Sequence, residues 1–195
     1  MSGEETRTRG RPRRTETDDR IVRATQELIR EQGPVGVNVA AVSVRSGVAR
    51  TTIYRRYADR EALLAAALGP ITDRGEPPEG DTVEAKIAWV LERTAEVLDQ
   101  GIGRGGVASV LADTDPDFSA ALRRSLESGL APILEQIAAD VSAGVLDPVV
   151  DPDALLNLIL GSYLAESLRR GNPSAQWRAR TARLVSAWVA GPGER

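Results

Sequence analysis

The sequence contains no cysteine and no histidine among its 195 residues. Without thiols, disulfides, thiolate metal sites and thiol catalysis are excluded. Without imidazole, the chain lacks the commonest metal ligand and the commonest general base. It also shows no phosphate-binding loop and no nucleophile–base pair, and we interpret the acidic residues Asp113, Asp115 and Asp117 as surface loop. We therefore expect no cofactor, no metal and no enzymatic activity.

Long apolar runs are absent as well. No stretch approaches the roughly 20 apolar residues of a membrane span, and the arginine-rich N-terminus lacks the apolar core of a secretory signal. A hydrophobic content of 42% and a charged content of 27% are those of an ordinary globular protein. We expect a cytoplasmic protein with no membrane partner.

The charge of the chain is divided unevenly. Residues 1–70 carry 13 arginines against 9 acidic residues, a balance of +4, whereas residues 71–195 carry 12 basic against 19 acidic residues, a balance of −7. A basic first third on an acidic remainder indicates a polyanion that only the N-terminal part meets. The preference for arginine over lysine suits guanine and phosphate contacts, although the codons of a GC-rich genome also explain it.

Proline and glycine divide the chain into segments of helical period, and no segment alternates as a strand does. We predict an all-α protein with a disordered basic arm at 1–15, a helix-turn-helix head at 16–70 and a larger helical domain at 71–195. Thr17 is expected to cap the first helix, Gly69-Pro70 to end the fourth, and Gly129 with Pro132 to kink the long one. The predicted helices cover 18–32, two short segments within 38–57, 59–68, 81–100, 107–112, 116–142, 153–170 and 174–189.

Residues 38–57 have the spacing of two short helices around a tight turn. Asn38 suits the N-cap of the first helix, and Gly47 suits a left-handed turn conformation. Ser43 is small enough for close crossing, and Ile53 returns to the core from the second helix. A small residue, a glycine four positions later and a branched aliphatic six positions after that are typical of the helix-turn-helix motif.

The segment GVARTTIYRRY at 47–57, followed by DREALL at 59–64, resembles the TetR family of bacterial repressors. The resemblance covers about residues 18–68; the remainder is similar only in helical character and length. It implies a head joined to a larger domain that dimerises through a four-helix bundle, and a small-molecule effector. Ala49 departs from the family, which often has a capping Ser or Thr there.

The resemblance and the exposed polar face of the second helix assign DNA contacts within the head. Arg50 lies where the helix enters the major groove and would bond guanine, whereas Asn38 and Arg60 match phosphate-binding positions and Tyr57 matches a packing position. The alternative is a helix face that is merely solvated. The predicted DNA-binding residues are Asn38, Arg50, Thr51, Thr52, Tyr54, Arg55, Arg56 and Arg60.

The basic arm at 1–15 is a separate indication of DNA binding. Its Arg-Gly-Arg-Pro-Arg sequence resembles an AT-hook core, in which Arg9 and Arg11 would enter the minor groove. A solubilising tail is the alternative interpretation. If the arm were the sole DNA contact, the protein would be a nucleoid-associated protein rather than a reader of sequence.

The C-terminal part supplies two further predictions. The last two helices carry apolar seams that would either pair in a homodimer or form intrachain core, and the resemblance favours the dimer, with interface residues Leu155, Leu158, Ile159, Ser162, Leu184 and Trp188. A ligand pocket between the helices of 81–142 would be lined by Trp89, Arg93, Glu96, Phe118 and Leu122. The predicted function is a homodimeric repressor that an unknown small molecule releases from double-stranded DNA with a palindromic operator.

Overall fold

The computed structural model describes residues 12–73, 75 and 82–191. Within these ranges the chain is helical, and its only strand-like pairing is an isolated antiparallel bridge between Leu146 and Ala190. The all-α prediction is confirmed. None of the described helices combines the length and the apolarity of a membrane span. The helices are α1 (Pro12–Gln32), α2 (Val39–Ser46), α3 (Arg50–Arg56), α4 (Arg60–Thr72), α5 (Val83–Ala95), α6 (Gly103–Leu111), α7 (Pro116–Ser142), α8 (Pro152–Arg170) and α9 (Ala175–Val189), with a 3-10 turn at Pro34–Gly36 and a π turn at Glu96–Gly101.

Local capping chemistry sets most helix starts. The Asn38 side chain accepts a hydrogen bond from the Ala41 amide at 2.9 Å, and Asp59 accepts one from Ala62 at 2.8 Å. Each bond satisfies an amide that the first turn leaves without an intrahelical partner. Ala49, by contrast, supplies no side-chain cap to α3.

Two predictions near the N-terminus are wrong: the first residue of the first helix and the capping role of Thr17. Helix α1 begins at Pro12 rather than at residue 18, so residues 12–15 are helical and Thr17 lies inside the helix instead of capping it. The fixed φ of proline suits a first helical position, and the polar residues that follow have adequate helix propensity. Residues 1–11, the rest of the predicted arm, lie outside the described residues.

Helix α4 continues through the predicted stop at Gly69-Pro70 and ends at Thr72. Proline removes one backbone hydrogen bond from a helix, but the turn beyond it is anchored by tertiary contacts. Ile71 and Thr72 are buried, and the Thr72 hydroxyl lies 2.7 Å from the Ser125 hydroxyl of α7. Residues 74 and 76–81, which follow this helix, lie outside the described residues.

Two apolar cores organise the described chain. The first fills the space between α1, α2, α3 and α4, and it also takes in Ile102, Phe118 and Leu122 from the following part of the chain. The second lies between α5, the C-terminal half of α7, α8 and α9. Lys86 of α5 donates to both carboxylate oxygens of Asp140 at 2.9 and 2.8 Å beside this second core. The head is therefore packed against the body through a shared core.

Helices α4 and α7 approach closely at Gly129. A Cβ atom at this position would lie 2.6 Å from the Thr72 carbonyl oxygen, well inside van der Waals contact. The absence of a side chain therefore lets α7 pass against the end of α4. The predicted kink residues Gly129 and Pro132 both lie within the continuous helix assigned to α7.

Gly129→Ala is expected to destabilise the protein by about 1–3 kcal/mol, because the new methyl group must displace backbone rather than a flexible side chain. Thermal unfolding followed by circular dichroism measures the effect. Ser128→Ala, at the exposed neighbouring position of the same helix, is the control. Because alanine has a higher helix propensity than serine, that change should be neutral or stabilising by less than about 1 kcal/mol. Equal melting temperatures for the two variants would contradict the close approach.

Candidate nucleic-acid interface and an internal cavity

The turn between α2 and α3 is fixed by hydrogen bonds on both sides. Gly47 adopts φ 66° and its amide donates to the Ser43 carbonyl at 3.0 Å. The Ser43 hydroxyl donates to the Val48 carbonyl at 2.8 Å, and Arg20 of α1 donates to the Ser46 carbonyl at 2.6 Å. The turn is thus held by one backbone hydrogen bond and by two side chains, Ser43 and Arg20, that donate to backbone carbonyls.

Helix α3 has one buried face and one exposed polar face. Ile53 is fully buried in the first core, whereas Tyr54 is 59% exposed. Arg50, Thr51 and Arg55 are exposed as well. Neither Arg50 nor Arg55 forms a hydrogen bond or ion pair with any residue that the structure describes, so both guanidinium groups are available to a ligand. Thr52 is half-buried at the edge of this face.

Two of the predicted DNA-binding arginines have other partners. Arg56 donates to the Asp18 carboxylate of α1 at 2.6 Å and is largely buried. Arg60 donates to the carbonyls of Val37 at 2.9 Å and Pro34 at 2.7 Å, and to both carboxylate oxygens of Asp115. In this structure their donors hold elements of the protein together, and their contact with DNA stays a prediction.

The remaining predicted residues of the head are distributed as follows. Asn38 is exposed, and since its oxygen caps α2, its amide nitrogen is the group left for a phosphate. Tyr57 is half-buried and packs against the first core, and burial raises the pKa of its hydroxyl above the usual value. Arg9 and Arg11 lie outside the described residues.

Asp115 is a residue whose role the sequence did not reveal. It is only 7% exposed, and besides pairing with Arg60 it accepts a hydrogen bond from the Phe118 amide at 3.1 Å as the N-cap of α7. Hydrogen bonding to Arg60 lowers the pKa of the Asp115 carboxyl. Asp115 stands immediately before Pro116 in the sequence, and a capping residue followed by a proline at the first helical position is typical of a helix start. This arrangement could have indicated its capping role.

A cavity of about 240 Å³ lies between the two cores. Arg93 and Leu122 line it as predicted. Trp89, Glu96 and Phe118 do not: Phe118 is fully buried in the first core, while Glu96 and Trp89 contact Arg93 from outside the lining. The sequence analysis did not predict the other leucines that follow at spacings of four residues on α7 and α8 and line the cavity: Leu126, Leu130, Leu156, Leu160 and Leu164.

Comparison with known proteins identifies the head. Residues 21–67 match the family model described as bacterial regulatory proteins, tetR family. An uncharacterised HTH-type transcriptional regulator of Mycobacterium tuberculosis is 35% identical over 81 residues, a match that spans 40% of this chain and 43% of the relative. Residues 21–67 therefore carry the DNA-binding domain of the TetR family. The match spans less than half the length of this curated relative.

Solved structures extend the likeness of fold to most of the chain. GusR of Salmonella enterica superposes with a TM-score of 0.68 at 21% identity, covering 94% of this chain and 99% of GusR. FadR of Bacillus subtilis, solved in complex with stearoyl-CoA, superposes with a TM-score of 0.57 at 17% identity, covering 88% and 97% of the two chains. These likenesses support the fold, an N-terminal helix-turn-helix head with a larger helical domain.

The seam predicted for the TetR dimer divides into buried and exposed residues. Leu155 and Ile159 are buried in the second core of a single chain and have little surface left for a partner, so their place in the interface stays a prediction. Leu158 is 42% exposed, and Leu184 and Trp188 are each 71% exposed. Ser162 is half-buried and its hydroxyl donates to the Ile159 carbonyl at 2.8 Å. The buried and the exposed residues of this seam are equally apolar, so the spacing of apolar residues in the sequence could not show which of them are covered within one chain.

Asp115→Asn is expected to destabilise the protein by about 1–3 kcal/mol at pH 7, because it leaves Arg60 without its charged partner but retains a capping side chain. Asp117→Asn is the control: Asp117 lies 3.5 Å from Arg60 but is 67% exposed, so its loss should cost less than about 1 kcal/mol. Chemical denaturation measures both changes.

The Asp115–Arg60 pair should make the free energy of unfolding depend on pH. Since the folded pKa of Asp115 is lowered, the folded protein binds this proton less readily than the unfolded chain. The stabilisation is therefore present above the ordinary aspartate pKa of about 3.9 and lost as the pH falls below it. Unfolding free energies measured between pH 6 and pH 3 should fall less steeply for Asp115→Asn than for the unaltered protein, and parallel curves would contradict the assignment.

Proposed function

We propose that this protein is a homodimeric transcriptional repressor that binds a palindromic operator and is released from it by a small molecule. The observation that carries the proposal is the exposed face of α3, where two arginines without protein partners stand on a helix held by the α2–α3 turn. A helix-turn-helix motif uses such a face to reach base edges in the major groove. The match of residues 21–67 to the TetR family also supports the function of a DNA-binding transcriptional regulator.

The residues of α3 would divide the work of binding. Arg50, at the N-terminal end, is placed to donate to guanine, and Thr51 lies beside it for a base or phosphate. Tyr54 and Arg55, one turn later, would contact the DNA backbone on either side of the groove. Arg56 and Arg60 bond other residues of the protein. In this proposal the preference for a DNA sequence therefore depends on fewer side chains than the family resemblance implies.

Dimerisation would be carried by the exposed apolar residues of α8 and α9. Leu158, Leu184 and Trp188 are large, apolar and solvent-exposed in the single chain, and apolar groups of this size are commonly buried at subunit interfaces. Two helices from each chain would form a four-helix bundle. A twofold pair of heads would then face half-sites about 34 Å apart on one side of the duplex.

Release by a ligand would depend on α4. This helix begins at Arg60, which is bonded to the head and to α7, and it ends at Thr72, which lines the cavity. A molecule in the cavity that favours another position of α4 would alter the tilt of the heads and weaken binding. The presence of stearoyl-CoA in the FadR structure is consistent with small-molecule binding by relatives of this fold.

The proposal is tested by selecting bound duplexes from a random DNA pool with the full chain, followed by salt-dependent binding to the selected sequence. A palindrome with half-sites about one helical turn apart is the expected result. Recovery of AT-rich DNA without symmetry would contradict a helix-turn-helix reader and would indicate the N-terminal arm as the sole contact.

Arg55→Ala is expected to weaken binding to the selected operator by about tenfold, and Tyr54→Phe by less, because each removes donors from an exposed face without touching the core. Arg123→Ala, which removes an exposed arginine from α7, is the charge-matched control and should leave affinity within about twofold. Fluorescence anisotropy measures affinity and circular dichroism checks the fold. Melting caused by either head variant would mean that this face is core.

Trp188→Asp is expected to convert the dimer to a monomer, since it places a charge in an apolar interface that must be desolvated. Sedimentation velocity measures the change. Val35→Asp introduces the same charge at a valine in the 3-10 turn that is 69% exposed, and it should leave the dimer intact. A dimer that persists in Trp188→Asp at micromolar concentration would place the interface elsewhere.

A further inference from the structure

We propose that the cavity between the two cores binds a compact, uncharged, largely aliphatic molecule with one hydrogen-bond acceptor, and that the Arg93–Glu96 pair sets this selectivity. The inference names the effector class for the proposed repressor and rests on that function for its effect on DNA. Binding itself is measured independently of DNA.

The size of the cavity limits the ligand. A dry protein cavity of 150 Å³ holds benzene, so the volume of about 240 Å³ found here corresponds to on the order of ten non-hydrogen atoms by the same ratio. A whole acyl-CoA, the class of ligand bound in the FadR structure, is several times larger. The cavity itself therefore accommodates a molecule much smaller than a whole coenzyme A thioester.

The chemistry of the walls favours an aliphatic ligand. Leucines of α7 and α8 and valines of α5 and α6 supply most of the lining, and no aromatic side chain among the described residues lines the cavity. An organic cation would thus find no aromatic face. The lining hydroxyls are already used: Thr94 donates to the Val90 carbonyl at 2.8 Å, and Thr72 is bonded to Ser125.

The charge at the cavity is compensated. Arg93 is the single ionisable side chain among the described residues that line it, and its guanidinium lies 2.6 Å from the Glu96 carboxylate and 5.8 Å from the centre of the Trp89 ring. An anionic ligand would have to displace Glu96, and a cationic ligand would meet Arg93. Either one would lose its hydration without a free counter-charge, which is costly in an apolar site.

Arg93 nevertheless offers one unused donor. Its Nε–H is buried and has no acceptor in the structure, which is uncommon for a buried polar group. A hydroxyl, ether or carbonyl oxygen on the ligand would supply that acceptor without requiring a charge. This contact would orient the ligand, while the aliphatic walls would supply most of the binding free energy.

Three probes that share one hydrocarbon cage test the inference: 1-adamantanol, 1-adamantanecarboxylate and protonated 1-adamantanamine. Titration calorimetry of the full chain at pH 7 should give binding of the alcohol and at least tenfold weaker binding of the two ions. The alcohol should also raise the melting temperature. Stearoyl-CoA should not compete with it. Failure of the alcohol to bind, or tighter binding of either ion or of stearoyl-CoA, would overturn the inference.

Two kinds of variant locate the binding. Glu96→Gln leaves the charge of Arg93 uncompensated, so affinity for the carboxylate should rise at least tenfold relative to the alcohol; Glu127→Gln, an exposed glutamate of α7, is the control. Leu126→Phe fills the cavity and should abolish alcohol binding. Leu160→Phe from the opposite wall repeats that test if the first variant does not fold. Unchanged preference in Glu96→Gln, or undiminished alcohol binding in a folded filling variant, would contradict the assignment.

The effect on DNA is measured separately, with the selected operator. Dissociation by the alcohol in the unaltered protein, and not in the filling variant, supports both the ligand class and release. Binding of the alcohol without any change in operator affinity would leave the ligand class supported but would contradict ligand-induced release by this class of molecule.

Discussion

The guanidinium group of Arg60 joins the head of this protein to its body. Its donors satisfy the carbonyls of Pro34 and Val37 on one side and the carboxylate of Asp115 on the other. These acceptors lie in a 3-10 turn region and at the start of α7, so one side chain fixes the position of three segments around the first turn of α4. A partly buried ion pair with all of its hydrogen bonds made contributes more to defining a geometry than to net stability.

The position of the cavity follows from this geometry. The first core takes residues from the N-terminal half of α7 and the second core from its C-terminal half, and the space between the two cores is lined by residues of both. Helix α4 begins at Arg60 and ends at Thr72, which lines the cavity. In the proposed mechanism, a ligand in the cavity would act on the same helix that the Arg60 contacts hold in place, and this helix would connect the ligand to the exposed face of α3.

The parts of the fold that could be predicted are those governed by neighbouring residues. Asn38 and Gly47 take their predicted positions because a cap or a left-handed turn needs only local chemistry. The partners of Arg56 and Arg60 lie 38 and 55 residues away, and no local pattern shows that an arginine will be turned inward. The passage of α4 through Pro70 likewise depends on contacts with α7. On α8, Leu155 and Leu158 are equally apolar in sequence, and only the packing of α5 and α9 decides which of them is covered.

The shared first core also bears on how such proteins can be recombined. Ile102, Phe118 and Leu122 belong to the body in sequence but are buried against the head. A fragment ending at residue 73 would expose the apolar surface that they cover and would separate Arg60 from Asp115. The head is consequently not an exchangeable cassette. A chimera made between relatives would need to inherit α6 and the first half of α7 together with the helix-turn-helix, so these segments are expected to be exchanged as one block in recombination.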